Sequence, residues 1–238
     1  MTTSPVDRAE SATERIGVDE RRAIPVVEGG EPLVRVDLAC PDVLVRPGIL
    51  GDGPDVGPHL LARAGVCERL ARMTASLPVG WRVEVFEAYR TMAYQRRLYA
   101  AAVAALVADR PGLSGRTLAA VADNYVALPT DDPASPPPHT TGAALDMLLV
   151  GADGARPDYG STPGTYDAHH AERHPTNSPS VSGEQRANRL RLLRAAVAAG
   201  FANYPGEWWH YSYGDQDWCH QSGEPVAFYG RVDSAPTG

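Results

Sequence analysis

Two short stretches of this 238-residue chain hold side chains whose types and spacing suit metal chemistry. In Tyr204-Pro-Gly-Glu-Trp-Trp-His-Tyr211 a carboxylate, Glu207, and an imidazole, His210, stand three residues apart among large aromatics. A neutral imidazole binds a metal, and a carboxylate beside it can take a proton from a metal-bound water. Read as ordinary structure, the same pair is a surface Glu next to a half-buried His. In Pro138-His-Thr-Thr-Gly-Ala-Ala-Leu-Asp-Met147, His139 and Asp146 are separated by a glycine and small residues. The run Leu145-Asp-Met-Leu-Leu-Val150 reads as a buried strand with one carboxylate in it. Such a carboxylate is costly unless paired, hydrogen-bonded or metal-bound. Either Asp146 satisfies a neighbour and His139 is a loop histidine, or these two join His210 and a water in a tetrahedral zinc site with one open position.

The elements that must position these residues can be read in order. Residues 1–30 are polar and charged and are expected to form a mobile tail. The weak alternation over 33–46 suggests a strand, and 48–58 is a Gly/Pro-rich loop. A helix is predicted over 59–77, where Leu60, Ala64, Cys67 and Ala71 mark one side and Val66, Leu70, Met73 and Leu77 the adjacent one. Pro78 and Gly80 stop it. Trp81-Arg-Val-Glu-Val-Phe86 alternates as a strand and runs into Glu87-Ala-Tyr-Arg90. At such a strand end the guanidinium of Arg90 either faces an active site, where it could bind an oxyanion, or pairs with a neighbour such as Glu87.

Helices follow over 92–108 and 115–128, then a Pro- and Asp-rich loop that leads to His139. Residues 152–182 form a long polar segment containing His169, His170 and His174, suited to a lid or substrate wall. A second metal site there is weakly supported, because no predicted element fixes the three imidazoles. Ser182-Gly-Glu-Gln185 has the form of a capping box opening a helix, and Gly200 closes it. Arg186, Arg189, Arg191 and Arg194 are assigned mostly to its solvated face.

Composition narrows the function classes. All 22 basic residues are Arg, and the formal net charge is −7. That balance argues against nucleic acid or an anionic membrane surface as the main partner. Cys40, Cys67 and Cys219 form no CxxC pair and read as ordinary reduced residues. The start of the chain lacks the pattern of a signal peptide, and no apolar run is long enough to span a bilayer, so a soluble cytoplasmic protein is expected.

Three separated pieces then match one family in order. His139-Thr-Thr-Gly142-Ala-Ala144-Leu-Asp146 fits His-x-x-Gly-x-Ala-x-Asp, Glu207-Trp-Trp-His210 fits Glu-x-Trp-His, and Tyr89-Arg90 fits Tyr-Arg. The chain resembles the VanX-type zinc D-alanyl-D-alanine dipeptidases, relatives of the D,D-carboxypeptidases, over approximately residues 33–230. The resemblance implies one zinc per chain, held by His139, Asp146 and His210. It implies that Glu207 is the general base and that Arg90 stabilises the oxyanion. Tyr166-Asp167 stands where the family has an aromatic–Asp pair, so Asp167, together with Tyr89, is assigned to substrate binding. Two positions depart from the family pattern: Pro137 stands where Ser is common, and Thr91 where Pro is usual.

A zinc dipeptidase acting on D-Ala-D-Ala or a similar small D-peptide is therefore expected, with a small dipeptide as its partner. The alternatives are a related peptidase acting on longer muropeptides and a non-hydrolytic relative repurposed for binding or biosynthesis. The expected fold is α+β: one catalytic domain over 31–238, with a small, mainly antiparallel sheet and helices packed on one side. In a regular strand Glu207 and His210 would face opposite sides, so a bulge, turn or strand end must bring both to the metal.

Overall fold

The computed structural model describes residues 4–13, 15–47 and 60–233. The Gly/Pro-rich loop expected over 48–58 lies outside them. A five-stranded sheet organises the rest. Its strands are β2 (Leu44–Val45), β4 (Trp81–Glu87), β5 (Ala144–Gly151), β6 (Ala202–Asn203) and β7 (His210–Ser212), in the order β2-β4-β5-β7-β6. All pairings are antiparallel except β2 with β4. A separate two-stranded ladder joins β1 (Leu33–Arg35) to β3 (Leu61–Arg63). This is the expected α+β class with a small, mainly antiparallel sheet.

The helices form where local signals and apolar spacing agree. In α4 (Ala64–Ser76), Val66, Leu70 and Met73 recur at helical spacing and are fully buried. In α8 (Gly183–Ala198), the Ser182–Gln185 capping box is present and Leu192, Leu193 and Ala196 point inward. These residues share one core with Leu145, Met147 and Leu149 of β5. Each buried Leu, Met or Val contributes roughly 1.5–3 kcal/mol by leaving water. Thr91, the departure from the family's Pro, caps α5 (Met92–Asp109) by accepting from the Tyr94 amide. α5 builds a smaller cluster from Tyr94, Leu98 and Ala102, joined by Val126 from the chain after α6 (Gly115–Ala122).

Several boundaries differ from the sequence reading. The helix expected from 59 begins at Ala64, because Leu61–Arg63 are claimed by the ladder with β1. That ladder is three residues long, so the strand expected over 33–46 gives way to the helical turn α3 (Val36–Ala39). The helix expected to 128 stops at Ala122. Beyond it the Asp123 carboxylate accepts from the Leu128 amide and the Asn124 side chain donates to the Ala120 carbonyl, local bonds that compete with further helix. The first thirty residues, expected as a tail, carry α1 (Pro5–Ser11) and α2 (Val18–Ala23). They lie on the body of the protein: Arg194 of α8 pairs with Glu10, and Arg21 is buried against Asp217 of α9 (Gln216–Ser222).

Arg189 is the largest correction to the face assigned to α8. It is 1% exposed. Its guanidinium donates to the carbonyls of Tyr159, Pro175 and Arg173 at 2.7, 2.7 and 2.6 Å. Burial without a carboxylate partner pushes it down to about 10, so it remains charged at neutral pH. It ties down the long segment that was expected to be a lid or substrate wall. His174 holds the same segment from inside. Its Nε2 lies 2.8 Å from the Thr165 carbonyl and must donate to it, which leaves Nδ1 to accept from Ser161 Oγ at 3.0 Å. No second metal cluster built on His170 and His174 occurs among the described residues.

Gly142 separates His139 from Asp146 and has φ +73°. A Cβ there would fall well inside van der Waals contact of Leu33 Cδ2. Gly142→Ala is therefore expected to lower the unfolding free energy by about 1–3 kcal/mol, through left-handed strain and this clash. Denaturant melts would show it; an unchanged midpoint would mean the turn tolerates a side chain. A second expectation concerns pH. Burial pushes His174 down to about 4, from an ordinary value of 6.5. Its neutral form is thus favoured by folding, a contribution fully present above pH 6.5 and lost as pH falls towards 4. His174→Gln should remove close to one proton from the stability–pH slope between those limits. An identical slope in both proteins would contradict the neutral assignment.

Candidate metal centre and active site

The centre is built across three neighbouring strands. Asp146 on β5 sits opposite His210 on β7 and opposite Glu87 on β4. The match to Glu87 requires a register shift: Val85 pairs with Met147, Phe86 is passed over, and Glu87 meets Asp146. This bulge turns Glu87 to the same face as Asp146 and His210. His139 arrives from outside the sheet on a 3-10 turn, Pro138–Thr141, which opens with a proline and ends at Gly142. The Arg90 amide donates to the His139 carbonyl at 3.0 Å, which ties this turn to the end of β4.

His139 Nδ1 lies 2.7 Å from the Ala88 carbonyl. A carbonyl only accepts, so Nδ1 carries the hydrogen and Nε2 offers its lone pair inward. That Nε2 is 3.1 Å from His210 Nδ1 and 3.2 Å from Asp146 Oδ1, and His210 Nδ1 is 3.0 Å from the same carboxylate oxygen. All three residues are buried. Two nitrogens and one carboxylate oxygen form a donor set that zinc favours. Ligands about 2.0–2.1 Å from a tetrahedral zinc lie about 3.3 Å apart by geometry. The observed triangle is within a few tenths of an ångström of that, so the residues present fit the ion.

Glu207 reaches the same place from a turn, which resolves the strand-parity problem. Its amide donates to the Tyr204 carbonyl at 3.0 Å, and β7 begins only at His210. Glu207 Oε2 is 4.0 Å from His210 Nδ1. Asn203 clamps the turn by donating to the carbonyls of Glu207 and His210 at 2.9 and 3.0 Å. Trp208 anchors it, stacked on Tyr159 and donating from Nε1 to Ser161 Oγ at 3.1 Å.

Arg90 pairs with Glu87, as one reading had it, and also lines the cavity beside the donor cluster. Its Nε is 3.3 Å from Glu87 Oε2, its Nη2 3.3 Å from Asp146 Oδ2, and its Nη1 donates to Gln95 Oε1 at 3.4 Å. The guanidinium is buried and fixed beside the donor cluster.

Charge sorts the ionisable groups into roles. Burial pushes Glu207 up to about 8, against the pull of His210. Burial opposes ionisation of Asp146 as well, but His139 and His210 outweigh it and hold that carboxyl well below its usual range. Burial and then the Arg90 cation push His139 down to about 4. Burial works in the same sense on His210, but its bond to the Asp146 carboxylate prevails and raises it. The cluster therefore holds a firmly ionised carboxylate, Asp146, next to one that burial pushes up to about 8, Glu207.

A small cavity opens on the cluster, with room for the centres of water-sized spheres over ≈ 60 Å³. His139, Asp146, His210, Glu207 and Arg90 all line it, joined by Tyr125, Tyr166, Tyr204 and Trp209. The two residues assigned to substrate binding do not. Tyr89 donates its hydroxyl to the Val232 carbonyl at 2.9 Å. Asp167 caps the short helix α7 (Ala168–Ala171), accepting from the His170 amide at 3.0 Å. Its neighbour Tyr166 takes the place on the wall. Gln95, Asp123, Arg21 and Asp217 also line the cavity and escaped the sequence reading. Gln95 alone left a signal, as a polar residue one turn into an apolar helix that starts beside Arg90.

The family model described as D-ala-D-ala dipeptidase matches residues 59–225. The curated D-alanyl-D-alanine dipeptidase of Synechocystis sp. is 35% identical over 241 residues, covering 89% of this chain and 96% of that protein. Among solved structures, a mutant of the vancomycin-resistance D,D-pentapeptidase VanY in complex with Zn(II) aligns with a TM-score of 0.44 at 16% identity, over 87% of this chain and 96% of that one. VanYB in complex with D-alanine-D-alanine aligns with a TM-score of 0.42 at 17% identity, over 73% and 83%. The extent of the family match and the identity to the curated relative show that the chain belongs to the D-Ala-D-Ala dipeptidase family and is a metallopeptidase.

Proposed function

We propose that this protein hydrolyses D-Ala-D-Ala, or a closely similar dipeptide of small D-residues, at the His139–Asp146–His210 cluster. The observation that carries the reading is the buried meeting of three metal-type donors, a carboxylate poised near neutrality and a fixed guanidinium in one small cavity. His139, Asp146 and His210 would hold zinc, one ion per chain. When bound, zinc polarises the scissile carbonyl and acidifies a water.

The remaining work falls to the chain itself. Glu207 takes the proton of the attacking water and returns it to the leaving amine. A carboxylate pushed up to about 8 suits both halves of that exchange, because it gains and loses a proton near working pH. Arg90, held by Glu87 and Gln95, presents a cation that needs no rearrangement as charge develops on the carbonyl oxygen. Tyr166, Trp209 and Tyr204 close the walls and exclude bulk water, which strengthens each of these interactions. The match to the dipeptidase family and the identity to a dipeptidase relative favour a dipeptide over a longer peptide. The net charge of −7 supports a small-molecule partner over nucleic acid or an anionic membrane. No helix among the described residues is long and apolar enough to cross a membrane. A cytoplasmic location, where a free dipeptide precursor of the cell wall would be met, is part of the same proposal.

Release of free D-alanine from D-Ala-D-Ala tests it directly. Turnover should vanish with chelator and return with zinc; a zinc-loaded protein inert on this dipeptide would move the substrate elsewhere. Glu207→Ala should retain metal yet lose about 10²–10⁴-fold in kcat, and normal hydrolysis by that variant would remove Glu207 from its role. His210→Ala should lose the metal itself, as elemental analysis would show. Arg90→Ala should cut kcat by about 10²–10³-fold while reducing metal content far less, and an unchanged kcat would exclude it from oxyanion stabilisation.

A further inference from the structure

Two guanidinium groups line the cavity, and the proposed chemistry uses only Arg90. The second, Arg21, comes from α2 in the N-terminal segment, outside the residues that the family model matches. It is buried, with Nε donating to Asp217 Oδ1 at 2.8 Å and Nη2 reaching Asp217 Oδ2 at 3.5 Å. Asp217, on α9, lines the same cavity. The backbone carrying Arg21 is pinned as well: Gln216 Nε2 donates to the carbonyls of Arg21 and Ile24 at 2.7 and 2.6 Å. The pairing with Asp217 occupies the Nε–Nη2 edge, and Nη1 has no protein partner among the described residues.

A dipeptide brings a carboxylate within a few ångströms of its scissile bond. In a dry cavity that charge needs a cation or several donors. The chain leading to His139 is Pro136-Pro137-Pro138, of which Pro138 lines the cavity, and it offers no backbone N–H. Arg90 is engaged by Glu87, Asp146 and Gln95. We infer that Arg21, oriented by Asp217, binds the terminal carboxylate of the substrate, so that the N-terminal segment completes the site. This rests on the proposed dipeptide substrate. Asp217 would neutralise the guanidinium while the cavity is empty and hold its fork in place when the substrate enters.

Binding tests this separately from hydrolysis. Zinc-loaded Glu207→Ala protein would be titrated calorimetrically with D-Ala-D-Ala, with its C-terminal amide and with N-acetyl-D-Ala-D-Ala. With Arg21 present, the acid should bind about 10–100-fold tighter than the amide, the worth of a hydrogen bond to a charged group. Adding Arg21→Gln should erase that preference by weakening the acid alone, and Arg21→Lys, which keeps the charge, should restore part of it. Equal loss on acid and amide would overturn the inference and make Arg21 a purely structural partner of Asp217. So would a preference that changes only against the N-acetyl compound. If the acid binds with the predicted preference but wild-type holoenzyme releases no D-alanine, the hydrolytic reading fails and the carboxylate site stands.

Discussion

The site depends on one buried carboxylate. Asp146 lies in the middle strand of the sheet between Leu145 and Met147, at 1% exposure, where an unpaired charge would cost several kcal/mol. Its oxygens are met by His139 and His210 on one side and by Arg90 on the other. Two of those partners are fixed by a further bond: His139 by the Ala88 carbonyl, Arg90 by Glu87 and Gln95. The Ala88 carbonyl sets the tautomer of one imidazole, the single buried charge orients a guanidinium and the second imidazole, and three donor atoms converge. A cation held there completes an arrangement that the protein atoms already outline.

Around this centre the cavity is made of segments far apart in the chain. One wall comes from α5 and the chain following α6, through Leu98, Tyr125 and Val126. Another is the segment before α8, which supplies Thr165, Tyr166 and His174. That segment lacks long regular structure and is held by Arg189 through three of its carbonyls. An arginine bonded mainly to backbone is a suitable clamp for irregular chain, because its donors satisfy carbonyls that no helix or ladder would satisfy. The third wall, from α2 and α9, closes the site through Arg21 and Asp217.

The electrostatics assign different work to two carboxylates that sit close together. Asp146 accepts hydrogen bonds from its neighbours and stays ionised; Glu207, buried and 4.0 Å from the nearest imidazole nitrogen, is pushed up to about 8. Environment, not residue type, separates the carboxyl held low from the one pushed up. The Asn203 clamp and the anchored Trp208 keep Glu207 near the cluster without bonding its carboxylate, which leaves that group able to exchange a proton.

The sequence by itself determined the chemistry of the centre: a carboxylate in an apolar strand, a histidine after a proline run, and a Glu–His pair among aromatics are local patterns, legible because burial makes a lone charge conspicuous. It also determined the class of fold and the positions of β4, β5, α5 and α8, whose caps and periodicities are local. Tertiary structure decided what depends on pairing and packing. The ladder with β1 moved the start of α4. A bulge at Phe86 placed Glu87 beside Arg90. A turn, not a strand, carried Glu207 to the donors. The burial of Arg189, the retreat of Asp167 to a helix cap and the arrival of Arg21 at the cavity left no local trace. A polar side chain reads the same in sequence whether it faces water or an ion-pair partner nearly two hundred residues away, and only the folded chain brings that partner to it.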